Sequence, residues 1–277
     1  MNNIDEPTAR AFDDKWGARY AGTANPERAR RAFERLFSLF PFGELREAEG
    51  FDLGCGQGRF AMCVAPRVGR LHCIDPSPNG LAVARLAAHG LANVEFHLAG
   101  VDDIPLPDAS QDFGYSLGVL HHIPDTEAAL RRCVAKLKPG APFLLYLYYD
   151  FENRPLWFRA VWRTSDIGRR GISRLPFRLR RFACDSIAAT IYWPLSRVAR
   201  LIERVGGDPG RVPLGSYRDA RLGNMRVAAL DRFGTRLEQR FSRAAIEAMM
   251  RRCGLGAIRF RDGEPYWVAI GRKGAGG

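Results

Sequence analysis

Asp52, Gly54, Gly56 and Gly58 fall within seven residues of one another in the stretch FDLGCGQGRF, residues 51–60. Glycine at every second position lets the backbone take positive φ and come close to a ligand. A helix starting after such a turn presents free N–H groups to an electronegative group. Seventeen residues after Gly58, Asp75 closes the apolar run LHCID (71–75). A carboxylate at the end of a second strand can accept hydrogen bonds from two ribose hydroxyls. Together these residues describe a cradle for a nucleoside-bearing ligand.

Positioning that cradle needs strands that end at one edge of a sheet. FDL (51–53), LHCID, VEFHL (94–98), DFGYSL (112–117) and PFLLYLYY (142–149) are short apolar runs. They alternate with amphipathic segments: one to about 68, one to about 89 and one over about 126–138, the last stopped by KPG. Such alternation predicts a parallel sheet with helices on both faces. Before it, residues 8–40 read as helical, with Phe12, Trp16 and Tyr20 on one face and a second start at Pro26. After Asp150 the pattern breaks into Arg-rich, aromatic, mostly helical chain. FSRAAIEAMMRRCG (241–254) is then a helix capped by Ser242 and stopped by Gly254, and the end reads as a hairpin turned at Asp262-Gly263. The expected segments are 1–45 as a helical lid, 46–150 as the binding core, 151–235 as a cap insert and 236–277 as the closing elements.

The chain has 277 residues and 46% hydrophobic residues, enough for a full core. The first residues lack a secretory signal pattern, and no run is long enough to span a membrane, so a cytoplasmic location is expected. Six scattered cysteines form no CxxC pair, so they read as reduced buried thiols, and no metal is expected. The net charge of +12 is uneven. Residues 151–205 hold twelve arginines, no lysine and four acids. That segment reads as a solvated cap face, as a surface for peripheral membrane contact or a partner, or as a set of arginines that read an acidic substrate; with no RNA-binding module present, nucleic acid is disfavoured.

The ligand choice rests on Asp52. A dinucleotide site favours GxGxxG with a pyrophosphate over the helix start. Here the spacing is GxGxG, and Asp52 would repel a pyrophosphate while suiting a positively charged amine. S-adenosylmethionine (SAM), which carries an amine and a sulfonium, is favoured over a nicotinamide cofactor.

DLGCGQGRF, IDPS (74–77), DDIPLPDASQDFGYSLGVLHHIPD (102–125) and LKPG (137–140) resemble the class I SAM-dependent methyltransferases, in the type 11 or UbiE-like branch. The opening AFDDKWGARY and the late FGTRLEQRFSRAAIEAMMRRCGL are similar to the same branch. The resemblance implies an α/β Rossmann-like sheet of seven strands, the last antiparallel, with a helical N-terminal lid and a helical insert after strand 5. It implies that Asp52, Gly54, Cys55 and Gly56 hold the methionine part of SAM. Asp75 would take the ribose, Pro76 and Ser77 would flank the adenosine, and Val101 and Asp102 would lie at the adenine. Ser116, Leu117 and His121 would sit beside the transferable methyl, under a lid carrying Trp16 and Tyr20. Relatives commonly have Asp where this chain has Gly100, so Asp102 or backbone alone must meet the adenine. His121 is a candidate general base, Tyr20 a second catalytic candidate, and His122 a packing residue. Tyr149 and Arg154 are candidates for the substrate, a small molecule. The product would be S-adenosylhomocysteine. The implied reaction moves the methyl to an O, N, S or C nucleophile of that substrate; the rival readings are a membrane-associated lipid or quinone methyltransferase, a non-catalytic SAM-binding subunit and an NAD-dependent oxidoreductase.

Overall fold

The structure, a computed structural model, describes residues 3–16, 26–209, 212–263 and 267–275. Seven strands form one sheet: β1 (Glu49–Leu53), β2 (Arg70–Asp75), β3 (Val94–Leu98), β4 (Phe113–Leu117), β5 (Pro142–Tyr146), β6 (Leu255–Phe260) and β7 (Val268–Lys273). Their order is β3-β2-β1-β4-β5-β7-β6. The first five are parallel, and β7 runs antiparallel to both β5 and β6. The seven-stranded sheet with one reversed strand is therefore present. Strand order turns back between β1 and β4, and in such sheets ligands bind outside the carboxyl ends at that switch point.

The central strands are apolar throughout because both faces are covered. One face packs Phe51, Ile74, Phe143 and Leu145 with residues of α5 (Thr126–Lys136) and α10 (Arg243–Arg252). The other packs Leu71, Tyr115 and Leu144 with Phe37, Phe40 and Val64. Helix boundaries follow local chemistry. Ser77 caps α4 (Pro78–Ala87) by accepting from Gly80 N–H at 2.8 Å, with Pro78 in the first turn. Ser242 caps α10 from Ala245 N–H at 3.1 Å, and Gly254 takes φ +88° beyond its end.

One expected helix changes type in its last turn, and one expected strand is shorter than the sequence suggests. The helix after the glycine turn is only α3 (Ala61–Val64), followed by a 3₁₀ turn over Ala65–Arg67. Pro66 lacks an N–H and cannot continue an α-helix at that point. The strand read as 142–149 ends at Tyr146, and Tyr149 makes only an isolated bridge to Phe241.

The chain divides into two compact units, residues 1–152 with 237–277, and residues 153–236. The first contains the sheet together with α1 (Glu6–Trp16) and α2 (Pro26–Leu36). The second contains α6 (Leu156–Ile172), α7 (Phe177–Ile187), α8 (Trp193–Arg204) and α9 (Leu222–Gly234), with a π-helical turn over Ala188–Tyr192 joining α7 to α8. Its core is small: Cys184, Ala188, Tyr192, Met225, Ala229 and Leu230. One arginine of this unit is structural. Arg169 is buried, donates to Asp166 at 2.6 Å, and also donates to the carbonyls of Thr235 and Arg236. Among the described residues no helix is long and apolar enough to cross a membrane.

Candidate functional site

The glycine turn leaves β1 beneath the end of β2. Gly54 has φ +82° and donates to the Ile74 carbonyl at 2.8 Å. A Cβ there would fall 2.3 Å from a methyl of Val119, so both the angle and the space demand glycine. Gly56, at φ +52°, donates to Asp75 Oδ2 at 2.7 Å. A Cβ on Gly56 would come within 3.5 Å of the Trp16 indole, which places the lid helix against the turn.

Asp75 is buried and also accepts from Ser77 N–H at 2.9 Å. It therefore braces the turn from the side where a ribose is expected. A carboxylate offers about four acceptor sites, so two backbone bonds leave capacity for hydroxyls. Burial raises its pKa, while the Ser77 and Gly56 N–H groups pull it back down. Asp52 is more strongly affected. Burial pushes its carboxyl up to about 8, the Tyr115 hydroxyl opposes this, and the neighbouring Asp75 adds to it. Cys55 is a buried thiol whose pKa is raised by Cys73 and by burial, which makes it a packing group in the turn.

The N-terminal residues close one side of the cradle. Asp13 of α1 accepts from Ser77 Oγ at 2.6 Å, from Asn79 N–H at 3.0 Å and from Asn79 Nδ2 at 2.9 Å. It extends the cap of α4 and fastens α1 to the turn after β2. The sequence reading passed over Asp13, although it lies one turn before Trp16 on the same helix. The space left by Gly100 is taken by Ile4: a Cβ there would lie 2.9 Å from Ile4 Cδ1. Asp102 is committed elsewhere, accepting from Asn3 N–H and pairing with Arg132 at 3.3 Å. The Val101 side chain is buried in the core. Asp102 thus serves as a brace, and where the adenine is expected Gly100 and Val101 present backbone.

The other expected residues are placed as follows. Pro76 is exposed, Leu117 half-buried and Ser116 buried, its hydroxyl donating to the Leu53 carbonyl at 3.0 Å. Tyr20 lies outside the described residues. His121 is fully buried, stacked on Tyr148 at 3.8 Å between ring centroids and tilted against His122 at 4.1 Å. Burial, together with the positive field of His122 and Arg240, holds its pKa well below the usual imidazole range. A substrate reaches neither ring nitrogen in this conformation, which argues against His121 as the group that touches the acceptor. His122 hydrogen-bonds the Leu237 carbonyl at 2.8 Å and packs on Phe12 at 5.0 Å, a structural role. Tyr149 meets Phe151 edge-on at 4.7 Å, and Glu152 is used to accept from Arg243 N–H at 2.7 Å. Arg154 belongs to the second unit, its guanidinium 5.5 Å from the Phe158 ring centre. Arg240, which the sequence reading did not single out, lies over Tyr148 at 5.1 Å and donates to the Tyr149 carbonyl.

These residues fit SAM. Two buried carboxyls that can ionise beside a bound cation, a turn bare of side chains and an indole beside it suit a cationic nucleoside. Comparison with known proteins agrees, since residues 51–145 match the family model described as a methyltransferase domain. Over residues 51–145 the chain is therefore similar to methyltransferase domains. The Ubiquinone biosynthesis O-methyltransferase of Xanthomonas oryzae pv. oryzae is 29% identical over 158 residues, 52% of this chain and 65% of that one. Phosphoethanolamine N-methyltransferase 2 of Caenorhabditis elegans is 34% identical over 119 residues, 42% of this chain and 27% of its own length. The chain thus spans just under two thirds of the first curated relative it matches. Among solved structures, the S-adenosylmethionine-dependent methyltransferase SibL in its apo form has a TM-score of 0.53 at 16% identity, covering 89% of this chain and 55% of its own. That likeness concerns the fold.

Proposed function

We propose that this methyltransferase moves the methyl group of SAM to a nucleophile of a small, apolar acceptor, with oxygen as the acceptor atom. The observation that carries the SAM part is the joint engagement of Asp75 with the Gly56 and Ser77 N–H groups, beside a buried Asp52. The choice of oxygen rests on the first relatives matched, which are named as O-methyltransferases.

Bound SAM supplies a methyl already activated by its sulfonium, so the chain's task is to bind, orient and exclude water. Asp52 offers its carboxylate to the cationic end, and Asp75 offers its remaining acceptor sites to the ribose. Pro76, Ser77 and the backbone at 100–102 border the adenosine. Trp16, held by the Asp13 tether to Ser77 and Asn79, keeps water from the turn. Ser116 fixes the Leu53 carbonyl and so the strand end from which the turn departs. Alignment of this kind alone lowers a bimolecular barrier by ~7–11 kcal/mol. His121, buried and neutral, is a positioning residue that sets the Tyr148 ring rather than a base in contact with the acceptor. Tyr149 remains the acceptor-side candidate.

An apolar acceptor is favoured by the second unit's own surface. Trp157, Ile167, Phe182, Trp193 and Leu201 are all exposed on its arginine-rich helices. Apolar side chains flanked by cations suit a membrane surface carrying anionic lipid. We place the protein in the cytoplasm, peripherally at such a surface; six unpaired cysteines suit a reducing compartment.

Calorimetry tests the cofactor: SAM should bind, NAD should not, and Asp75→Ala should lose ~1.5–3 kcal/mol of SAM affinity. A panel of phenolic and amine acceptors with radiolabelled SAM tests the transfer. SAM binding without transfer to any acceptor would favour the non-catalytic subunit. Absence of SAM binding would refute both readings.

A further inference from the structure

We propose that His72, His97 and Glu95 form a binding site for a divalent transition-metal ion of the zinc class, at the β2–β3 edge of the sheet. His72 lies on β2 and is paired in register with Glu95 on β3, and His97 follows two residues on. Side chains alternate across a strand, so all three share one face, while Cys73 and Asp75 point to the other. The site is therefore separate from the SAM cradle and contains no thiolate ligand.

The geometry points to a metal rather than to a simple hydrogen-bonded ladder. One ligand atom from each residue lies within 4.8 Å of the others. His72 Nδ1 is 3.0 Å from His97 Nε2 and 3.5 Å from Glu95 Oε2, and His97 Nε2 is 3.7 Å from Glu95 Oε1. Zinc bonds of ~2.0–2.1 Å in a tetrahedron place neighbouring ligand atoms ~3.3–3.4 Å apart. The His72–His97 and His72–Glu95 separations bracket that value, and each histidine has one of the two Glu95 oxygens near it, so small side-chain shifts would let one ion meet all three groups.

A fourth residue orients the set. Glu49, at the start of β1, lies 2.8 Å from His72 Nε2. Accepting that N–H leaves the Nδ1 lone pair aimed at the other two ligands, the usual carboxylate–imidazole arrangement behind a metal-bound histidine. Without an ion, His97 must donate through Nε2 to the same lone pair and turn no acceptor toward it. Burial is graded suitably as well: the His72 and His97 side chains are 6% and 18% exposed and Glu95 is 54% exposed. The ion would enter past Glu95 and keep a water in its fourth position. Two imidazoles and a carboxylate select zinc, cobalt or nickel over calcium or magnesium, which prefer all-oxygen sites. Bound there, the ion would pin the edge strand β3 to β2. The residues that follow β3 are Ala99, Gly100 and Val101, which border the cradle.

Chelator-treated full-length protein should take up one equivalent of Co²⁺ with the ligand-field spectrum of a four-coordinate nitrogen–oxygen site. Zn²⁺ should displace it and raise Tm by several degrees. His97→Gln and Glu95→Gln should each weaken Zn²⁺ binding at least tenfold, measured against a chromogenic chelator, with circular dichroism and SAM affinity unchanged. Glu49→Gln, which removes no ligand, should weaken it less. Absence of stoichiometric uptake overturns the proposal. So does uptake that survives both ligand substitutions, or a thiolate charge-transfer band, which would place the ion on cysteine. Because none of these measurements uses methyl transfer, they stand or fall apart from the proposed function.

Discussion

If Asp52 meets the cationic end of SAM as proposed, SAM affinity should depend on pH. Burial holds its carboxyl at about 8 in the ligand-free protein, so at pH 7 it is mostly neutral. Contact with a cation requires the ionised form. A unit positive charge at ~4 Å with an effective dielectric of ~20 favours ionisation by ~4 kcal/mol, enough to lower the pKa by about three units. Binding must therefore expel a proton, and the sign follows: affinity rises as pH rises toward 8. The apparent Kd should fall ~tenfold per pH unit below about 7, and ~50-fold between pH 6 and pH 8. At pH 7 each binding event should release ~0.9 proton. Calorimetry in buffers of differing ionisation enthalpy reads that number directly. Asp52→Asn keeps the size of the side chain and removes the titration, so it should flatten the profile. A wild-type affinity independent of pH, or a slope that persists in Asp52→Asn, would refute the reasoning and move the cation's partner elsewhere.

Four further outcomes are expected. Gly54→Ala combines a positive φ with a Cβ 2.3 Å from Val119, and should cost more than ~2 kcal/mol in denaturant unfolding together with SAM binding; a loss under ~0.5 kcal/mol would contradict the geometry. Gly100→Asp meets only the tip of Ile4, so it should cost less than about 1 kcal/mol, and Ile4→Ala should restore that loss. His121→Leu should keep more than a tenth of turnover and leave the pH–rate profile unchanged, whereas a base would lose ~10²–10⁴-fold. Deleting residues 155–232 with a short linker should leave SAM binding partly intact, because both clusters packed on the sheet draw their residues from outside that segment; methyl transfer should be lost, and normal transfer by the shortened chain would remove the insert from acceptor choice.

Strand positions were legible because a strand buried on both faces must be apolar along its length, and turns between strands must carry glycine, proline or a capping residue. VEFHL is β3 as read, and LHCID differs from β2 by one residue. The helical segment after the turn ends at Arg67, close to where hydrophobic rhythm puts it, but that rhythm does not reveal that its last turn, at Pro66, is 3₁₀ rather than α. The glycine turn and the two acids were visible as residue types at strand ends, where local sequence dictates both backbone angle and chemistry.

What each side chain does with its charge was settled only by folding. Asp102 looked available for a ligand until Asn3 and Arg132, 99 and 30 residues away in sequence, came to meet it. His121 read as a base because its neighbours in sequence suit an active site, yet Tyr148 and His122 enclose it. His72, Glu95 and His97 carry no spacing motif, since their meeting depends on the register between two parallel strands. Periodicity and turn chemistry act over a few residues and can be read along the chain. Burial, partnership and pKa are set by atoms brought close by the sheet, and a linear sequence does not contain those distances.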